Sequence, residues 1–363
     1  MVRHLFGNGM LGVLAVALAS AFTTSQPASA ESLNRDWIHA RAQWLMHIDV
    51  QRLVESRIGQ YLIEHHEQLD LDLSELKKIK RETGVHPFED IEDITVYGRG
   101  NPEDKNVAVI VRSNEKVDDL VERMREEGGE HYHNMIFDGI EFHVWDEKED
   151  MMLLHVRDDD EPGRRIAVLG RNPKLLAHVI GVIEGDKPSV AGGDEALLRA
   201  RPQNGSMLYM EASAAPWIGK KGNPASKIAR HSDHVAMDIA ERDEQMSFLL
   251  SISAKSEQDA KNVSDVLQGL VALGRLMGDE KPELQPLVDL MRGVAVTARD
   301  RDIQINMQRE TSKIIEAIEK SAARKRRAND EHQNAGNESA RHMPRPREDR
   351  SRERSKSRAQ QTE

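Results

Sequence analysis

The chain has 363 residues, no cysteine, and 62 Asp or Glu against 51 Lys or Arg, a formal net charge of −11 at pH 7. Without cysteine there are no disulfides, no thiolate metal sites, no cysteine nucleophile and no N-terminal lipid on cysteine. The charge is uneven: residues 321–363 hold twelve Lys or Arg against seven Asp or Glu, and setting these and Arg3 aside leaves −17 on residues 31–320.

Residues 1–30 read as a secretory signal peptide. Arg3 and His4 make a short basic start, and Met10–Phe22 is an apolar core shorter than the roughly 20 residues a spanning helix needs. Ala28-Ser29-Ala30 is an A-x-A cleavage site. The mature chain is expected to begin at Glu31, with no transmembrane anchor, as a soluble periplasmic or extracellular protein.

The body opens with the strand-like WLMHID (Trp44–Asp49), then one helix, QRLVESRIGQYLIEHH, with Val54, Ile58, Tyr61 and Leu62 on one face. After the charge-patterned LDLDLSELKKIKRETG, the alternation in HPFEDIEDITVYG and the apolar NVAVIVR predict a hairpin around RGNPEDK. Asn114 is placed to cap a helix carrying Val117, Leu120, Val121 and Met124 and ended by Gly128-Gly129. A hairpin over 131–145, the strands MMLLHV and IAVLG, and a helix opened by Asn172-Pro173 follow.

The same order then recurs. MLYMEA stands for WLMHID, and HVAMDIAE and MSFLLSISA form a hairpin around RDEQ. Ser256 and Asp259 start a helix with Val263, Val266, Leu267, Leu270, Leu273 and Met277 along one face, stopping at Gly278. VAVTA and IQINMQ form a last hairpin, and TSKIIEAIEK a closing helix. The expected fold is α+β, built from two related halves (31–190 and 191–320), each a mainly antiparallel sheet with helices packed on one face.

GVHPFEDIEDITVYG (84–98), SNEKVDDLVERM (113–124) and SISAKSEQDAKNVSDVLQGLVAL (251–273) together resemble a family of secreted bacterial proteins of unknown function. The resemblance covers nearly all of residues 35–320. It implies a duplicated α+β unit and export, and brings no catalytic residues.

Several motifs stop short of chemistry. HHEQLD places His66 and Glu67 as in H-E-x-x-H, but Asp70 stands where the second histidine belongs. GGDE (192–195) leads into an apolar, helix-like run rather than a hairpin turn. The acidic runs at 146–150 and 157–162 lack the spacing that wraps oxygens around calcium. No P-loop, G-x-S-x-G elbow or dinucleotide fingerprint is present.

The candidate metal site is His131, His133 and His143, flanking Asp138-Gly139. A two-residue turn pairs His133 with Val144 and sets His143 on the opposite face, whereas a three-residue loop pairs His133 with His143 and gathers all three. Apolar counts are equal in the two registers. The functional expectation is an exported binding or assembly protein that is non-catalytic and uses no cofactor. The alternatives are a metal-assisted hydrolase using the three histidines with Glu141, and a carrier of an apolar ligand between the halves.

The tail from 321 has no Phe, Trp, Tyr, Ile, Leu or Val, and is expected to be disordered from about Asp330. Its cations, with Arg324, Lys325, Arg326, Arg327, Arg350, Arg352 and Arg354 foremost, suit an anionic envelope polymer or an acidic protein. Nucleic acid fits less well, because the tail lacks aromatic residues to stack on bases. Limited proteolysis of the mature protein should trim the tail first and leave the acidic body whole. A first cut within 190–235, where RPQNG and IGKKGNPASK lie, would instead mark two separable domains.

Overall fold

The computed structural model describes residues 33–69, 71–100, 106–147, 150–192, 201–213, 230–280 and 293–324, with Leu197, Ile228, Val288 and Arg326. Residues 1–30, expected to be a signal peptide, and the tail beyond Arg326 lie outside the described residues. The chain divides into two compact units at Glu319/Lys320, and the described part of the second, residues 320–324 and Arg326, is helical.

In the first unit the described strands number twelve and form one sheet. They are β1 (Trp44–Asp49), β2 (Ile91–Gly98), β3 (Val107–Asn114), β4 (Tyr132–Phe137), β5 (Ile140–Glu147), β6 (Asp150–Asp158), β7 (Arg164–Gly170), β8 (Ser206–Ser213), β9 (Ser232–Arg242), β10 (Gln245–Ala254), β11 (Ala295–Arg299) and β12 (Asp302–Glu310). The order across the sheet is β11-β12-β10-β9-β8-β1-β2-β3-β7-β6-β5-β4, with the neighbours antiparallel. The helices are α1 (Val50–Glu55), α2 (Arg57–Glu64), α3 (Ser74–Thr83), α4 (Lys116–Glu127), α5 (Pro173–Ile183) and α6 (Glu257–Glu280), with α7 over residues 311–319. The fold is α+β.

The expected halves share one continuous sheet. β1 pairs with β8 at its centre, and the order then mirrors outward: β2, β3, β7, β6 on one side and β9, β10, β12, β11 on the other, with β5 and β4 added beyond β6. In the first half the helices divide between both faces. Leu45, Tyr97, Ile110, Val168 and Phe142 pack with Leu176, Val179 and Ile180 of α5. Their strand neighbours Trp44, Met46, Ile48, Val96 and Leu169 pack on the other face with Val50 and Val54 of α1 and Val117 and Met124 of α4. Strands buried on both faces lose the apolar–polar alternation that marks a half-exposed strand.

The helix expected over 51–66 is two helices. Ser56 is extended (φ −65, ψ 149), and its Oγ accepts from Gly59 N at 2.9 Å, so it ends α1 and caps α2. Gly59 is required by the bend, since a Cβ there would lie 1.9 Å from the Leu53 carbonyl oxygen. Ser74–Thr83, readable in the sequence only as a charge pattern, is a helix closed by left-handed Gly84. Asn172 caps α5 as expected, accepting from Lys174 N at 3.1 Å and Leu175 N at 3.3 Å with Pro173 at the first position. α6 continues past Gly278 to Glu280.

Leu176 is fully buried between α5 and the sheet. Leu176→Ala should cost about 2–5 kcal/mol through lost burial and the cavity left behind. The change should appear as a lower urea midpoint at an unchanged slope; an unchanged midpoint would contradict the seating of α5.

Candidate functional site

The histidine hairpin adopts the two-residue turn. Asp138 (φ 54) and Gly139 (φ 80) both take left-handed backbone, Phe137 pairs with Ile140, and His133 pairs with Val144 while Asn134 pairs with His143. His133 and His143 therefore project from opposite faces. His131 precedes β4 in a short 3-10 turn, its Nδ1 3.0 Å from the Asp146 carbonyl oxygen. The three are not brought together, and no group of three or more His, Cys, Asp or Glu placed to hold a metal occurs among the described residues.

His143 joins a different set. Tyr132 Oη donates to Asn134 Oδ1 at 2.8 Å and lies 2.9 Å from His143 Nδ1, so with its one proton given to Asn134 the phenol oxygen accepts from the imidazole. Asn134 Nδ2 in turn donates to Glu141 Oε1 at 2.6 Å. Burial lowers the His143 pKa against the pull of Glu141. The ring borders an open cleft of about 370 Å³ that Asp118, Arg125, Asp158 and Arg165 also line. Arg165 is already held there by Asp118 at 3.0 Å and Asp158 at 3.1 Å. Of the predicted tail cations, Arg324 and Arg326 are helical, and Lys325, Arg327, Arg350, Arg352 and Arg354 lie outside the described residues.

The centre of the sheet holds polar groups that belong to none of the sequence motifs. Across β1 and β2, His47 pairs with Thr95 and Asp49 with Asp93, all on one face and all buried. His47 Nδ1 and Thr95 Oγ1 are 2.8 Å apart. Arg112 on β3 grips Asp93 Oδ2 through Nε at 2.9 Å and Nη2 at 2.7 Å. Glu92 bridges Arg112 at 3.3 Å to Arg164 at 2.7 Å. On β8 the Tyr209 hydroxyl donates to Glu211 Oε2 at 2.7 Å, and Glu211 Oε1 bonds His234 Nε2 of β9. The signal was present as i, i+2 polar pairs inside otherwise apolar strands: His47/Asp49, Asp93/Thr95 and Tyr209/Glu211.

The opposite face of β8 to β10 is apolar and less covered. Ala236, Asp238 and Ala240 of β9 are buried, whereas Val235, Met237 and Ile239, which alternate with them, are half-exposed. Met210 of β8 and Phe248 and Leu250 of β10 share that face and are likewise half-exposed. Among the described residues, α1 sits on β8, β1 and β2, and α6 on β10, β11 and β12; Val235 and Leu250 pack with Ile228 and with Ala260 and Val263 of α6, Met210 packs in the cluster beneath α1, and Met237 and Phe248 belong to neither cluster. Ile58 and Leu62 of α2 and Ile314 of α7 pack with Ile239 and Met246, closing the end toward the β9–β10 turn. α6 buries Ala260 and Val263 but leaves Val266, Leu270 and Leu273 at 50%, 44% and 53% exposure.

Burial, then the Arg112 charge, lowers His47 to about 3 from 6.5. A lowered imidazole pKa means that the unfolded chain takes up the proton first, so stability falls as pH drops from about 6.5 toward 3. Burial pushes the Asp93 carboxyl up to about 7, with Arg112 opposing and Asp49 adding, so Asp93 acts in the other sense and loses stability as pH rises to 7. Comparing His47→Asn with the parent isolates the first effect. Between pH 7 and pH 3 the parent should lose on the order of 4 kcal/mol more than the variant in urea unfolding. Parallel curves would show that His47 is not held neutral.

No family model matches the chain, and no curated protein matches it. Among solved structures it is similar to the treponemal protein TP0453. Crystal form III matches with TM-score 0.38 and 9% identity over 81% of this chain and 99% of that one. Crystal form I matches with TM-score 0.35 and 9% identity over 80% and 98%.

Proposed function

We propose that this chain is an exported, non-catalytic binding protein that receives an apolar ligand on the open face of β8, β9 and β10. The observation that carries the reading is the inversion on β9: its polar-bearing side is buried, while Val235, Met237 and Ile239 of the apolar side stay only partly buried, Val235 beside α6, Ile239 beside α2 and α7, and Met237 in neither cluster. Leaving apolar surface in water forfeits about 25 cal/mol per Å². Apolar surface of this kind, with the exposed Val266, Leu270 and Leu273 of α6 in the same half, supports an interaction site. Methionine suits the floor, since its unbranched thioether adapts to ligands of differing shape. The signal peptide pattern supports export. The separation of His133 from His143 removes the geometry on which the hydrolase alternative rested.

The test is titration of the mature protein with a fluorescent long-chain fatty acid. Saturable binding is expected, weakened at least tenfold by Met237→Glu with little change in thermal midpoint, and unchanged by His133→Ala with His143→Ala. Absence of saturable binding, or equal binding by Met237→Glu, would overturn the reading.

A further inference from the structure

A second site is visible away from that face, around a pair of histidines. His39, in the segment entering β1, and His178 of α5 have ring centroids 4.1 Å apart. The entry segment is pinned on both sides. On one, His39 bridges Ser189, Ala40 N donates to the Pro188 carbonyl at 3.3 Å and Val190 N to that of Ile38 at 2.9 Å. On the other, Gln43 N donates to the Gly98 carbonyl at 2.9 Å, and Gly100 N donates to the Gln43 side-chain oxygen at 2.9 Å. This framework brings Arg41, Arg99 at the end of β2, and Lys187 after α5 to the same corner. Lys187 lies across Gly181, one turn beyond His178, where a Cβ would be 2.9 Å from Lys187 Cγ.

The cluster is basic throughout and unneutralised. Arg41, Arg99 and Lys187 are exposed, and none has an ion pair or side-chain hydrogen bond among the described residues. His178 Nε2 is buried with no hydrogen-bond partner. His39 Nδ1 accepts from Arg41 N at 2.6 Å, which leaves its proton on Nε2. Glu184, at the end of α5, pairs with Arg157 at 3.7 Å; Asp186 is exposed in the turn before Lys187. On a body carrying −17, the three cations Arg41, Arg99 and Lys187, gathered beside two imidazoles and without a paired carboxylate among the described residues, repel one another unless an anion joins them.

We propose that His39, Arg41, Arg99, His178 and Lys187 form a binding site for a phosphate-type oxyanion. Three cations supply charge, and the imidazoles supply N–H donors to the oxygens. Burial, then the neighbouring His178, lowers His39 to about 4, and burial with Lys187 and Arg41 lowers His178. Both rings are therefore neutral at pH 7, and an anion beside the pair would raise both.

Sulfate, whose charge is constant between pH 5 and 8, is the first probe, titrated calorimetrically into the full mature chain. Saturable binding is expected, tighter at pH 5.5 than at pH 8 chiefly through His178, because an adjacent anion raises an imidazole pKa, whereas His39, held near 4, is too little protonated at pH 5.5 to add much. The triple variant Arg41→Gln, Arg99→Gln, Lys187→Gln should bind at least tenfold more weakly, and His178→Asn should flatten the pH dependence. The basic tail is present in every protein compared. Inorganic phosphate and vesicles of phosphatidylglycerol or phosphatidylcholine separate the sources. Selective binding to the anionic vesicles that phosphate competes away identifies a headgroup, and phosphate binding without vesicle binding identifies a small anion. Equal sulfate binding by the triple variant and the parent, or no saturable binding, would overturn the proposal.

Discussion

The antiparallel contact between β1 and β8 is what the rest of this structure hangs on. It is the seam at which the two runs of strands become one sheet, and all six residues of β1 are buried. A strand closed on both faces has no water to satisfy its polar side chains, so each must find a partner inside the protein or cost several kcal/mol. This requirement explains the arrangement around the seam: His47 on Thr95, Asp93 on Arg112, Tyr209 on Glu211 and Glu211 on His234. Each bond crosses to, or sits beside, the strand that the seam holds in place.

Buried charge of this kind is a weak source of net stability, because desolvating Asp93 and Arg112 offsets much of their attraction. Its structural effect is on register. A slip of one residue between β1 and β2 would carry His47 and Asp49 to the face where Trp44, Met46 and Ile48 pack beneath α1, leaving them unpaired there. The apolar face resists the same slip, since it would lift Ile48 away from Val50 and Val54. Polar and apolar demands thus select one alignment at the centre, and the outer strands inherit it through successive hairpins.

Coverage differs between the two sides of the seam, and the proposed functions follow from that difference. The first half has a helix layer on each face, so its central strands are largely buried on both, with His47, Asp49, Asp93 and Thr95 among the apolar residues. Among the described residues, the second half seats α6 on its outer strands and leaves Met237 of β9 only partly buried, on an apolar face closed at one end by α2 and α7. The basic corner lies instead where the entry to β1 crosses the turn after α5. The helix-covered first half can hold exposed cations there without exposing core, and the acidic charge of the body gives an anion-binding corner contrast with its surroundings.

Local pattern was enough for much of the fold. The alternation in IEDITVYG, the caps at Asn172-Pro173 and Ser256, and the 3.6-residue spacing of α6 depend on residues within a few positions of one another, so the sequence by itself determined the strand and hairpin order, most of the helices and the α+β class, but neither the break at Ser56 nor α3. Tertiary structure decided matters that depend on distant partners. The 3.6-residue spacing put Val263, Val266, Leu267 and Leu270 on one face of α6, yet only contact with Ile252 and Ile303 determines that Val263 is covered and Leu270 is not. Both registers of the 131–145 hairpin carried equal apolar counts. The observed one buries Phe142 and Val144 completely against the strands and α5, and so separates the histidines. His39, Arg41, Arg99, His178 and Lys187 span nearly 150 positions and share no spacing rule. They meet because the chain must pass between β2 and α5 to enter the central strand, a constraint of packing that no local pattern encodes.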